Sequence, residues 1–89
     1  MAKIIGFILH KNFEKAYAKL SVEMKTAFKE RRNLLLIDPQ HPLLNNHPLH
    51  GKWRDYRSIN ISGDIRAIYI IEGFIAVFME IGSHSELYQ

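Results

Sequence analysis

Two histidines, His47 and His84, one carboxylate, Asp64, and four cations, Lys52, Arg54, Arg57 and Arg66, carry the chemistry this chain could perform. As a residue type histidine titrates near pH 6.5, so a pair of histidines supplies a base and an acid at working pH. Arginine and lysine seek phosphate, arginine with two parallel donors. The groups are dense along the chain: His47-Pro48-Leu49-His50-Gly51-Lys52-Trp53-Arg54-Asp55-Tyr56-Arg57, then Ser62-Gly63-Asp64, then Gly82-Ser83-His84 near the end. Trp53 and Tyr56 stand among the cations, a mixture that grips a phosphate backbone and stacks a base. Cleavage of RNA without a metal asks for this set. The substrate's own 2′-hydroxyl is the nucleophile, so a base must take its proton, an acid must protonate the departing 5′-oxygen, and cations must stabilise the charged phosphorane. His47 and His84 are the acid–base candidates, in an order the sequence leaves open. Asp64 would orient or charge-stabilise one of them, and Lys52, Arg54, Arg57 and Arg66 would hold phosphate.

Each residue also has a plainer role to set beside this one. His47 before Pro48 could hydrogen-bond loop backbone, and Asp64 in Ser-Gly-Asp could simply form a turn. Trp53, the lone tryptophan, reads as packing first and RNA contact second. His41, His47 and His50 raise zinc as a ligand, but they lie in a proline-containing loop with no cysteine and no close acidic ligand, so no metal or cofactor is expected, and His41 and His50 read as surface residues.

The elements that must position these groups follow from length and periodicity. The 89 residues suit a single domain over 1–89, able to bury roughly 60–65% of its unfolded surface. There is no cysteine, so neither a disulfide framework nor a thiolate site is available. Twelve Lys and Arg against nine Asp and Glu leave a net charge of +3, which favours an anionic partner. The apolar stretch near the start is broken by Gly6 and stops at His10-Lys11, short of a signal peptide or a membrane span, so a cytoplasmic protein with no membrane association is expected. Asn60-Ile61-Ser62 is accordingly strand sequence rather than a glycosylation site.

Residues 3–9 read as a first strand, and Asn12 is the expected cap of a helix carrying Phe13, Ala16, Tyr17 and Leu20 on one face. Ser21 restarts the pattern for a second helix over 22–37, with Met24, Ala27, Phe28 and Leu35 inward, ending before Pro39. After an irregular, proline-containing connection over 38–51, strands resume near Tyr56 and continue as a meander over 65–71 and 74–81. The fold class is α+β: an N-terminal strand, a helical hairpin, an antiparallel β-meander and a short C-terminal tail. With Glu72-Gly73 as a two-residue loop, Arg66 shares a face with Ile68, Ile70, Ile75, Val77, Met79 and Ile81, and a three-residue Ser62–Asp64 loop adds Asn60. The other face carries Ile59, Ile61, Ile65, Ala67, Tyr69, Phe74, Ala76 and Phe78. Both are apolar, and a partner is expected over whichever face the helices leave open.

The string His47-Pro48-Leu49-x-Gly51-x-Trp53-x-x-Tyr56-Arg57, followed by Asp64, by Tyr69 in an Ile-Tyr strand, and by Gly82-Ser83-His84 with Leu87-Tyr88, resembles the YafQ branch of the RelE/ParE toxin superfamily over almost the whole chain. The resemblance implies a RelE-like fold and a toxin of a type II toxin–antitoxin pair, an mRNA interferase that enters the ribosomal A site and cleaves translated mRNA. It implies a cognate antitoxin as protein partner, with the ribosome and its mRNA as the others. By the same resemblance His47, Asp64 and His84 match catalytic positions and Tyr88 the aromatic residue that follows. Asn60 stands where the family commonly has a further histidine; it can hydrogen-bond but not titrate. Ile65 stands where an aromatic residue would stack RNA.

Two readings of other kinds compete with the nuclease. A ParE-like gyrase inhibitor would share the fold and act by binding a protein, with no need of paired histidines. A catalytically weakened interaction module would be favoured by Asn60.

Overall fold

The structure, a computed structural model, describes residues 3–88. Five strands form one sheet in the order β1-β5-β4-β3-β2: β1 (Gly6–Leu9), β2 (His47–Pro48), β3 (Arg57–Ser62), β4 (Ile65–Glu72) and β5 (Ile75–Ser83). Helices α1 (Lys11–Ala18) and α2 (Val22–Ile37) lie between β1 and β2 in the chain, and α3 (His84–Leu87) ends it. The α+β class expected from periodicity is the one observed. No helix among the described residues is long and apolar enough to cross a membrane.

β1 pairs in parallel with β5, Gly6 opposite Ile75 and Leu9 opposite Phe78, because the two helices carry the chain across before it returns. Its start falls short of the expected residue 3, since β5 begins only at Ile75 and offers no ladder further back. Ile5 N–H still reaches Phe74 O at 2.8 Å. At the other end His10 N–H donates to Phe78 O at 2.9 Å, which keeps His10 extended at φ −65°, ψ 151°. His10 rather than Asn12 therefore caps α1: its Nδ1 accepts from Asn12 N–H at 3.1 Å, and Asn12 is already inside the helix. Ser21 caps α2 through Met24 N–H at 3.1 Å, and the helix runs over the expected residues to the Pro39 break.

The helices cover the face bearing Ile59, Ile61, Ala67, Tyr69, Ala76, Phe78 and Ile81, filling it with Phe13, Phe28 and Leu35. Phe13 and Phe28 meet at 4.9 Å and Phe28 meets Phe78 at 5.1 Å, so the helical hairpin is joined to the sheet through aromatic contacts.

Three register details differ from expectation. The β4–β5 turn is Gly73-Phe74, with Glu72 opposite Ile75 and Gly73 at φ +65°, so Phe74 sits exposed in the turn instead of in the core. A bulge at Met79, between the Tyr69–Phe78 and Ile68–Glu80 pairs, returns Ile81 to the helix-covered face beside Ala67, as an extra residue in one strand must. The β3–β4 turn is two residues, Gly63-Asp64, with the extra residue taken up at Ile61. Asn60 nonetheless lies opposite Arg66, as expected.

The second sheet face was expected to await a partner, yet Ser58 and Ile68 on it are fully buried. The chain covers it with its own parts, the 49–56 segment and α3, which are tied to each other where Trp53 Nε1 donates to Leu87 O at 3.2 Å. Within the irregular connection the structure places two ordered pieces that periodicity could not show: a 3-10 turn at Pro42–Leu44, and the two-residue β2, whose proline is tolerated at a sheet edge.

Candidate active site

His47, Pro48, Leu49, His50, Arg66, His84 and Tyr88 line one open hollow of about 250 Å³ on the second face. Four of the residues singled out from sequence thus meet although as many as 41 positions separate the first from the last. β2 brings His47, β4 brings Arg66, and α3 brings His84 together with Tyr88, the residue that caps its end.

His47 is held by its own loop. Asn45 ends the Pro42–Leu44 turn in the left-handed region, φ 44° and ψ 48°, a conformation asparagine adopts more readily than most residues. That turn aims Asn45 O at His47 Nδ1, 2.7 Å away. A backbone carbonyl only accepts, so Nδ1 carries the proton and neutral His47 keeps Nε2 as a lone-pair acceptor. Next to it Asn46, which sequence reasoning missed, fastens the loop to the core. Its Oδ1 accepts from Arg57 Nε at 2.9 Å and from Tyr69 OH at 3.0 Å, and its Nδ2 donates to Pro39 O at 3.0 Å. Burial raises the Tyr69 hydroxyl above its ordinary pKa, against the opposing pull of Asn46 and Arg57, so it remains a donor. No sequence motif signals Asn46, because its partners lie 7, 11 and 23 residues away.

His84 is the first residue of α3, and the capping box explains the Gly-Ser-His spacing. Ser83 Oγ accepts from Glu86 N–H at 3.2 Å while Glu86 Oε1 accepts from Ser83 N–H at 2.8 Å. Gly82 leaves room for that carboxylate: a Cβ there would stand 3.2 Å from Glu86 Oε1. His84 N–H donates to Asp64 O at 3.2 Å, and its ring packs on Tyr88 at 4.7 Å. The Ser83 N–H first, and then the Ser83 hydroxyl, hold the Glu86 carboxylate below its ordinary pKa. A carboxylate depressed in the fold stabilises it above the unfolded pKa and loses that contribution as pH falls through the folded value. The Ser83 amide resonance should therefore titrate at a pH below that of an ordinary glutamate, and Glu86→Gln should abolish the transition. A Ser83 amide that titrates at the ordinary value would show the box open in solution.

The remaining candidates are distributed around this hollow. Asp64 is exposed in its turn and is joined to His84 through its main-chain oxygen; its side chain is outside the lining. Arg54 and Arg57 line a neighbouring hollow beyond Pro48 and Leu49, and Lys52 lines another beside Trp53. His50, read as a surface residue, is exposed and also borders the His47–His84 hollow. His41 caps the Pro42–Leu44 turn through Leu43 N–H. Among the described residues no three His, Asp or Glu side chains are grouped to hold a metal ion.

Four buried polar atoms make no hydrogen bond among the described residues: Ser58 Oγ, Asn60 Oδ1, Arg66 Nη1 and Tyr88 OH. Ser58, Asn60 and Arg66 share the second sheet face by register, and Tyr88 and Arg66 line the same hollow. An unpaired buried donor costs about 1–3 kcal/mol, more when charged, so the two that belong to the hollow, on Arg66 and Tyr88, mark it as a place for a polar ligand.

A five-stranded sheet with one parallel edge and two helices on one face is the fold of solved bacterial toxins. Residues 7–89 match the family described as "Bacterial toxin of type II toxin-antitoxin system, YafQ". The chain belongs to the YafQ toxin family and is a toxin of a type II toxin–antitoxin system. A copper-bound mutant toxin from Helicobacter pylori is 28% identical, with a TM-score of 0.81 over 96% of this chain and 100% of that one. YafQ from E. coli strain BL21(DE3) is 23% identical, with a TM-score of 0.78 over 93% and 97%. In the E. coli DinJ-YafQ toxin–antitoxin complex the likeness is 22% identity and a TM-score of 0.75 over 99% and 100%. At the latter two identities the likeness concerns the fold. No curated protein matches the chain.

Proposed function

We propose that the chain is a ribosome-dependent endoribonuclease that cleaves translated mRNA through its own side chains and is silenced by a cognate antitoxin. One observation carries the reading: Arg66 Nη1 and Tyr88 OH are buried without protein partners in the hollow that two histidines line. Arg66 and Tyr88 would supply a charged donor and a neutral one to a phosphate held between an acid and a base. His47, with Nε2 left as acceptor by the Asn45 contact, takes the proton of the 2′-hydroxyl. The 2′-oxygen attacks phosphorus, the bond to the 5′-oxygen breaks, and His84 protonates that oxygen, leaving a 2′,3′-cyclic phosphate. Arg66 and Tyr88 hold the phosphorane oxygens, and Asp64 positions His84 through its main-chain oxygen. Complexes such as DinJ-YafQ support an antitoxin as partner.

Ribosome dependence follows from the shallowness of the site. A few phosphate contacts on a domain of net charge +3 bind free RNA weakly and with a steep salt dependence, so an outside scaffold has to align the strand. Cleavage of mRNA on a programmed ribosome should greatly exceed cleavage of the same RNA free in buffer. Equal rates would contradict ribosome dependence, and intact mRNA with gyrase inhibited would establish the ParE-like alternative.

Asn60 lies across from Arg66 with Oδ1 unpaired, a polar group next to the site that positions without carrying a proton. Asn60→His should leave stability within about 1 kcal/mol and raise single-turnover cleavage with a changed pH profile, whereas Asn60→Ala should weaken it modestly. An unfolded Asn60→His, or one with an unaltered profile, removes position 60 from the site.

A further inference from the structure

A hollow larger than the catalytic one lies beside the histidines, not around them. It is about 380 Å³ and shares Pro48 and Leu49 with the catalytic one, so a single thickness of main chain divides the two. That wall is held firmly: Pro48 pairs with Arg57 across the β2–β3 ladder, and Leu49 N–H donates to Tyr56 O at 3.0 Å.

Its chemistry suits a nucleotide. Arg54 and Arg57 both line it, against the single carboxylate of Asp55. Arg57 is held by Asn46 through Nε and lies against the Tyr69 hydroxyl as well, so it gives the hollow a fixed positive charge, while the exposed Arg54 can close on a phosphate from the rim. The Tyr56 ring is braced edge-on by Trp53 at 5.3 Å and 77°, so stacking a base on it would cost little ordering. Asp55, between them, sits at φ 78°, a left-handed backbone that aspartate adopts more readily than most residues, and it sets the path of the chain from Arg54 to Tyr56.

The opposite direction from the histidines suits RNA less well. Lys52 there lies over the Trp53 ring at 5.5 Å, and the next hollow is faced by Glu80 and Glu86, which repel phosphate. A strand leaving the catalytic hollow is therefore drawn over the Pro48–Leu49 wall.

We propose that the Arg54–Arg57–Tyr56 hollow binds the nucleotide adjoining the scissile phosphate of single-stranded RNA, with its phosphate on the two arginines and its base on Tyr56. The inference rests on reading the His47–His84 hollow as the cleavage site. The probe is a ribotrinucleotide blocked by 2′-O-methylation, titrated into the full chain and followed by NMR. Signals of Tyr56 and Ile71 should move together with those of His47 and His84. Arg54→Ala, an exposed position, should weaken binding severalfold and lower the salt slope by about one. Tyr56→Leu should weaken it while leaving the slope unchanged. Movement at the histidines alone, with wild-type affinity and slope in Arg54→Ala, overturns the subsite and leaves the cleavage site standing. A trinucleotide that moves neither set overturns both.

Discussion

His84→Ala should lose about 10²–10⁴-fold in cleavage of ribosome-bound mRNA, the usual contribution of a general acid or base, while its melting temperature and antitoxin binding stay close to wild type. The side chain is exposed, so removing it opens no core cavity, and the Ser83–Glu86 capping box that starts α3 does not involve the imidazole. His84→Gln separates hydrogen bonding from proton transfer: it should be nearly as inactive, because an amide donates but does not titrate. Single-turnover cleavage with a thermal melt on the same preparation decides the matter. Wild-type cleavage by folded His84→Ala would remove the residue from the mechanism, and loss only in proportion to unfolding would make it structural.

Arg66→Met should give an opposite sign in two measurements. Cleavage should fall by about 10²–10³-fold, as when one oriented donor to a developing oxyanion is removed. Stability should hold or rise, because methionine keeps the length and apolar stem of arginine and relieves a buried guanidinium nitrogen that finds no partner among the described residues. Stability spent at a site and recovered on mutation is the mark of a functional group rather than a structural one. Arg66→Lys should recover only part of the activity, since an ammonium lacks the planar fork. A destabilised Arg66→Met would place the residue in the architecture instead.

These predictions rest on residues legible to different degrees. The α2 boundaries, the Asn60–Arg66 pairing and the face shared by Ile59, Ala67, Tyr69 and Phe78 were readable because caps, breakers and period-two alternation act over a few residues. The α1 cap was misread, since His10 caps only because Phe78 O, far along the chain, holds it extended. The Met79 bulge was likewise invisible: an extra strand residue changes no residue type, and only the packing of Ile81 against the core reveals it. His50 was set aside as surface, and its place at the hollow depends on a loop path that composition does not encode.

The sequence by itself determined the kinds of group available, their order and the elements bearing them, which sufficed for the toxin family and for naming His47, Asn60, Asp64, Arg66, His84 and Tyr88 as candidates. Only the tertiary structure decided which face the helices cover, that the chain's own loop and α3 close over part of the other, and that Asn45 and Asn46 set the tautomer and position of His47. The reason is one of range. Propensity and periodicity express local free energies, whereas a site assembled from β2, β4 and α3 depends on contacts between residues tens of positions apart, and these exist only once the sheet has formed.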